Sequence, residues 1–223
     1  MKRIRIACVA YSSLLLTLSG CCRMGDWHKN TFYQGEPVEQ FTKEPQSYIR
    51  SLYLYDQLST VCLFDALWLS GAVRSAYVSA HALKAGKGQE FRNNFLRRQL
   101  EENKHFITFY LLSSVAHLDE KDAEWSFSLR VKDQVYTPLD MKVVYLNPEY
   151  ISFFGKKYNH FKTVYEIKFN ALTVDEKPIL DSTVQDMALC IRSLSKKMEL
   201  AWHIPNVEKM LPATEVVATS VAP

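Results

Sequence analysis

Apolar residues along this chain follow two rhythms, and the change between them is the main structural signal in the sequence. Over residues 47–83 they recur at helical spacing, with Ile49, Leu52, Tyr53, Val61, Phe64, Trp68 and Val73 on the repeating positions and Gln46 or Ser47 as a cap. Gly71 divides this stretch into two predicted helices. Its densest apolar run, 61–69, is broken by Asp65 and flanked by Arg50, Asp56 and Arg74. Charges so placed suit a core segment and not a membrane span. After the Gly86-Lys87-Gly88 break, residues 89–103 read as a more polar helix with a stripe of Phe91, Phe95 or Leu96, and Leu100.

Beyond residue 104 the period falls from 3.6 to 2. Trp125, Phe127, Leu129 and Val131 alternate with Ser126, Ser128, Arg130 and Lys132, as in a strand with one buried and one wet face. Tyr165, Ile167 and Phe169 repeat the pattern, and Met187-Leu189-Ile191 and Met198-Leu200-Trp202-Ile204 flank Ser195-Lys196-Lys197 as a hairpin. Residues 106–115, 136–146 and 150–154 are further candidate strands, with turns at Asn147-Pro148 and Lys177-Pro178. Strands following one another without intervening helices argue for antiparallel pairing. The expected class is therefore α+β, with a helical segment over 46–104 packed on an antiparallel β-sandwich over 105–205. Residues 206–223 drift into Thr, Ala, Val, Ser and Pro and are expected to fray.

The amino terminus carries a different signal. Lys2, Arg3 and Arg5 precede an apolar run over 6–18 interrupted only by Ser12, Ser13 and Thr17, and small residues follow. That is the layout of a secretory signal. The run is shorter than the roughly 20 apolar residues a permanent span requires. At the junction stand Leu18-Ser19-Gly20-Cys21, which resemble the lipobox of bacterial lipoproteins. The resemblance covers only this end of the chain. It implies a signal peptide over 1–20, diacylglyceryl transfer to the thiol of Cys21, cleavage after Gly20 and acylation of the new amino group, with palmitate among the expected acyl groups. One acyl chain binds a bilayer marginally, whereas two or three hold a soluble domain there. Cys22 stands where an aspartate commonly favours inner-membrane retention, so the outer membrane is the expected address if the host has one. Residues 21–45, with Gly25, Gly35, Pro37 and Pro45 and no sustained period, suit a tether.

Cleavage changes the charge balance. The full chain has a formal net charge of +3, and Lys2, Arg3 and Arg5 account for it. A mature chain without excess cations is a poor nucleic-acid partner, because phosphate contacts dominate that affinity. Of five cysteines, Cys8 leaves with the signal, Cys21 takes the lipid and Cys22 is a bystander of the anchor. Cys62 and Cys190 either pair in an oxidising compartment or sit as free thiols in apolar surroundings.

Motifs that would name a reaction are missing. His28, His81, His105, His117, His160 and His203 show no metal-binding spacing, and there is no nucleophile elbow, Walker A or dinucleotide fingerprint. No metal and no cofactor is expected. The acidic stretch over 117–124 lacks the ligand spacing of a calcium loop and reads as a solvated turn. Asp65, set among Val61, Cys62, Phe64, Trp68 and Leu69, must find a partner or shift its pKa. It is the best candidate acid, with pairing to Arg74 or a strand cation as the structural reading. Lys84, Lys87, Arg92, Arg97, Arg98 and Lys104 make the polar helix basic, suiting either a solvated face or anionic headgroups. Tyr150, Phe153, Phe154, Tyr158 and Phe161, interleaved with Gly155, Lys156, Lys157 and Asn159, form the candidate partner-binding loop.

The expectation that follows is a lipid-anchored, extracytoplasmic, non-enzymatic binding or scaffolding module. Its partners are the bilayer, through acylated Cys21, and an envelope protein or glycan. The alternative is an envelope hydrolase or transferase using Asp65 in a cleft between helix and sheet.

Overall fold

The computed structural model describes residues 36–56, 59–120 and 122–204. In chain order the elements are α1 (Glu36–Gln46), β1 (Ile49–Asp56), β2 (Ser59–Trp68), α2 (Gly71–Lys84), α3 (Gln89–His105), β3 (Phe106–Ser113), β4 (Ser126–Val131), β5 (Gln134–Tyr136) and β6 (Asp140–Val143). They continue with α4 (Pro148–Phe154), a 3₁₀ turn (Gly155–Lys157), β7 (Thr163–Asn170), β8 (Asp186–Arg192) and β9 (Lys197–His203). The chain divides into two units after Gln40, within α1, and the sheets and remaining helices all belong to the second.

Two antiparallel sheets, ordered β1-β2-β3-β7-β6 and β5-β4-β8-β9, make the α+β sandwich expected from the sequence. Strand alternation supplies its core. Phe64 and Ala66, Phe109 and Leu111, and Ile167 and Phe169 face across to Leu129, Leu189, Leu200 and Trp202, all in one buried cluster. Burying an aromatic or aliphatic side chain of this kind contributes about 1.5–3 kcal/mol. Along one side the sheets are tied by polar contacts, with Trp202 Nε1 donating to the Tyr48 carbonyl at 2.6 Å and Arg50 Nε to that of Ala201 at 2.8 Å.

The other face of the five-stranded sheet is covered by helices. Leu67, Leu112 and Val164 pack there against Val73 and Tyr77 of α2 and Tyr150, Phe153 and Phe154 of α4. Ser70 caps α2 by accepting from the Val73 amide at 3.3 Å. Gly86, at φ +60, reverses the chain into α3 in a conformation glycine adopts without strain.

This arrangement corrects the helical segment expected over 46–104. Between residues 47 and 104 only α2 and α3 are helical; residues 49–68 are a β-hairpin, paired Ile49 with Leu67 through Asp56 with Ser59. The physical reason is burial on both faces. Phe64 and Ala66 look into the sandwich while Leu67 looks toward the helices, so β2 reads as a continuous apolar run that satisfies helical and strand spacing alike. Residues 150–154 are likewise helix, not strand. Pro148 occupies the first turn of α4, where its missing N–H costs nothing, and Tyr150, Phe153 and Phe154 fall on one helical face. The expected strand over 136–146 is divided between the sheets, β5 pairing with β4 and β6 with β7, with Pro138 in the crossing. Residues 36–45 of the expected tether are helical, part of α1, with Pro45 inside the helix. The signal peptide over 1–20, Cys21 and the tail over 206–223 lie outside the described residues.

Candidate functional site

The polar groups that the fold gathers lie between the α2–α3 hairpin and the outer face of the five-stranded sheet. Arg74, in the first turn of α2, is 2% exposed. Its Nε donates to Asn103 Oδ1 at 2.6 Å, and its Nη1 to Gln99 Oε1 at 2.8 Å and Glu102 Oε2 at 2.9 Å, all three partners on α3. The second Glu102 oxygen accepts from Lys168 Nζ on β7 at 2.9 Å. Lys168 also lies 3.6 Å from Glu166, which Lys142 approaches to 3.3 Å. Burial pushes the Glu102 carboxyl up, but the Lys168 hydrogen bond and the Arg74 charge outweigh it and hold it below the ordinary glutamate value. Nη2 of Arg74 is buried and has no hydrogen-bond partner among the described residues.

Beneath the arginine stand three tyrosines. The rings of Tyr77 and Tyr150 stack at 4.3 Å, and Tyr110 meets Tyr150 edge-on at 5.1 Å. Burial, with the Glu166 charge adding, pushes the Tyr110 hydroxyl up to about 12, and burial raises Tyr150 well above an ordinary tyrosine. Tyr77 is raised for the same first reason, while its hydroxyl accepts from Asn147 Nδ2 at 2.9 Å. All three hydroxyls are therefore protonated at neutral pH and able to donate.

Two cavities meet here. The smaller, about 120 Å³, is lined by Arg74, Gln99, Glu102, Tyr110, Tyr150 and Glu166 among others. The larger, about 330 Å³, is lined by His81, Lys84, Ala85, Pro148 and Glu149, and both are bounded by Tyr77 and Asn147. Glu149 is held by His81 Nδ1 at 3.4 Å and Lys84 Nζ at 3.7 Å.

The residues singled out from the sequence fall elsewhere or in other roles. Asp65 lies on β2, not on a helix, and is fully buried. Its Oδ1 accepts from Ser51 Oγ at 2.5 Å and its Oδ2 from Lys162 Nζ at 2.6 Å, with Lys157 Nζ at 3.5 Å. It lines neither cavity. Its cations come from the 3₁₀ turn and the loop after it, while Arg74, on α2, is engaged by partners on α3. Cys62 and Cys190 are both free and buried, so the disulfide reading is wrong. Cys62 faces the sandwich core, whereas alternation on β8 turns Cys190 the other way, against Glu199 at 3.7 Å. Of the aromatic loop, Tyr150, Phe153 and Phe154 are core, Tyr158 packs half-buried against them, and Phe161 alone is exposed, at 92%. The acidic stretch is a surface turn in which His117 pairs with Glu120 at 2.8 Å. Among the described residues no cluster of three or more metal-ligating side chains occurs.

Glu102, Tyr110, Glu166 and Lys168 escaped the reading of the sequence, and Arg74 entered it only as a flanking charge and as a partner for Asp65, a pairing the structure does not make. One signal was available: Arg74 interrupts the otherwise apolar and small start of α2, Gly71-Ala72-Val73-Arg74-Ser75-Ala76-Tyr77. No family model, curated protein or solved structure matches the chain, so the meaning of this site rests on its own geometry.

Proposed function

We propose that the chain is a lipid-anchored, extracytoplasmic binding module. Its address would be set by acylation at Cys21, and its ligand would be taken by the body without chemical change. The observation that carries the address is the run Leu18-Ser19-Gly20-Cys21 behind a short apolar segment and three cations. Among the described residues no helix is long and apolar enough to cross a membrane, which fits a body held by acyl chains.

Binding in place of turnover is supported by the pairing of the buried carboxylates Asp65 and Glu149 and of the half-buried Glu102. Asp65 is neutralised by Lys162, Glu102 by Arg74 and Lys168, and Glu149 by Lys84 with His81 alongside. Paired this way they stiffen the fold and hold donors in place. In native cells, Cys21→Ser should move the protein from the detergent phase to the aqueous phase. The wild type should carry the mass of a chain that starts at acylated Cys21. A wild type that keeps residues 1–20 and partitions into buffer would defeat the proposal.

A further inference from the structure

We infer that the smaller cavity binds the carboxylate of a small organic acid, held by the guanidinium of Arg74 and the hydroxyls of Tyr110 and Tyr150. Three of the arginine's donors are used by α3, on Asn103, Gln99 and Glu102. The Nη2 pair is left over, buried and unpartnered among the described residues. An unsatisfied N–H on a buried cation is costly, and natural cores rarely leave one without a reason. Arg74 also lines the smaller cavity, the space beside its network in which a ligand could be taken up. Neither the Tyr110 nor the Tyr150 hydroxyl has a hydrogen-bond partner among the described residues, and both residues line the same space. A planar guanidinium and two O–H donors lining one cavity offer the donor types and the positive charge that a carboxylate takes.

The acidic residues of the wall do not close the site to an anion. Glu102 is matched by Arg74 and Lys168, and Glu166 by Lys142 and Lys168, although their charges keep the affinity of an isolated carboxylate low. Size narrows the ligand further. The cavity of about 120 Å³ has room for about four waters at their liquid volume. That space suits a carboxylate and the first carbons behind it. A longer acid would have the larger cavity beside it, across Tyr77 and Asn147.

This inference rests on the binding-module reading only in taking the body to bind without reaction, and it does not require the anchor. The test is calorimetric titration of the full chain, purified in detergent, with sodium butyrate, butyramide and inorganic phosphate at constant ionic strength. Butyrate should bind saturably in the millimolar range, the neutral amide and phosphate at least tenfold more weakly. Tyr110→Phe and Tyr150→Phe remove one hydroxyl each without disturbing the Arg74 network, and each should weaken butyrate binding about tenfold. Arg74→Lys should abolish it, and the tyrosine variants decide the matter if that chain fails to fold. Absence of saturable butyrate binding, equal binding of butyramide or phosphate, or indifference to both tyrosine substitutions would each overturn the inference. None of these results bears on detergent partitioning of Cys21→Ser, so the two readings fail separately.

Discussion

Replacing Asp65 by Asn should destabilise the protein by about 3–5 kcal/mol, because it strands a buried ammonium without its counter-charge. Lys162, whose side chain is 8% exposed, donates to Asp65 Oδ2 at 2.6 Å and to the Lys157 carbonyl at 3.0 Å. Asparagine keeps the shape and one acceptor oxygen, so the loss measures the charge. Lys157, 37% exposed and 3.5 Å from Oδ1, can turn toward water and adds less. Removing the cation instead, as Lys162→Met, leaves Asp65 with Ser51 and Lys157 and should cost about 1–3 kcal/mol. Asp65→Leu combined with Lys162→Met should lose much less than the sum of the corresponding single substitutions, since a paired charge can be exchanged for apolar volume at little net cost. Urea unfolding reads each value as a shift in midpoint at constant slope. In a thermal melt the first substitution corresponds to a fall of about 6–20 °C for a domain of this size. A loss below about 1 kcal/mol for Asp65→Asn, or strict additivity in the double variant, would show that the pair does not hold the hairpin to the loop as argued.

Two further outcomes follow from the described groups. Cys62 and Cys190, buried on opposite sides of the four-stranded sheet and with thiols raised by burial, should resist iodoacetamide in the native protein and react in urea without reductant; labelling of neither after unfolding would indicate a disulfide. Asp181 is held at about 2 by the Thr183 side chain and amide and by Lys132, so Thr183→Ala should raise its carboxyl titration toward the ordinary aspartate value. The sign follows from the depressed folded value: the contribution to stability is present above about pH 4 and fades as pH falls toward 2. Side-chain carboxyl NMR across that range would refute it by showing no change on substitution.

How far the fold is legible in the sequence depends on how many faces of each strand are buried. β4 has a wet face as well as a buried one, and Phe127, Leu129 and Val131 announce it by alternation. The hairpin of β8 and β9 is legible for the same reason on β9, where Leu200 and Trp202 alternate with exposed neighbours. β2 is covered on both sides, so its alternation is erased; the β-branched and aromatic content of Tyr53, Tyr55, Val61 and Phe64 was the better guide. α4 was lost because Asn147-Pro148 marks either a turn or a helix start, and only the spacing of Tyr150, Phe153 and Phe154 separates the two. The candidate site was illegible for a different reason. Its groups come from α2, α3, β3, β7, the loop before α4 and α4 itself, and nothing local in any of these segments refers to the others.

Register then decides where polar chemistry can occur. On β3 and β7 the pairs Thr108 with Lys168, Tyr110 with Glu166 and Leu112 with Val164 share the helix-covered face, while Phe109, Leu111, Tyr165 and Ile167 fill the sandwich. A slip of one residue in β7 would drive Lys168 and Glu166 into the apolar core, so the same alternation that secures the core confines the charges to one layer. Within that layer two buried polar atoms, Arg74 Nη2 and Thr108 Oγ1, lack partners among the described residues. A layer serving stability alone would be expected to satisfy both, and apolar side chains would fill the space with less loss. Departures of this kind from local consistency concentrate where a protein meets something other than itself. The covered face of the five-stranded sheet, and not the exposed aromatic Phe161, is therefore the place to look for the ligand.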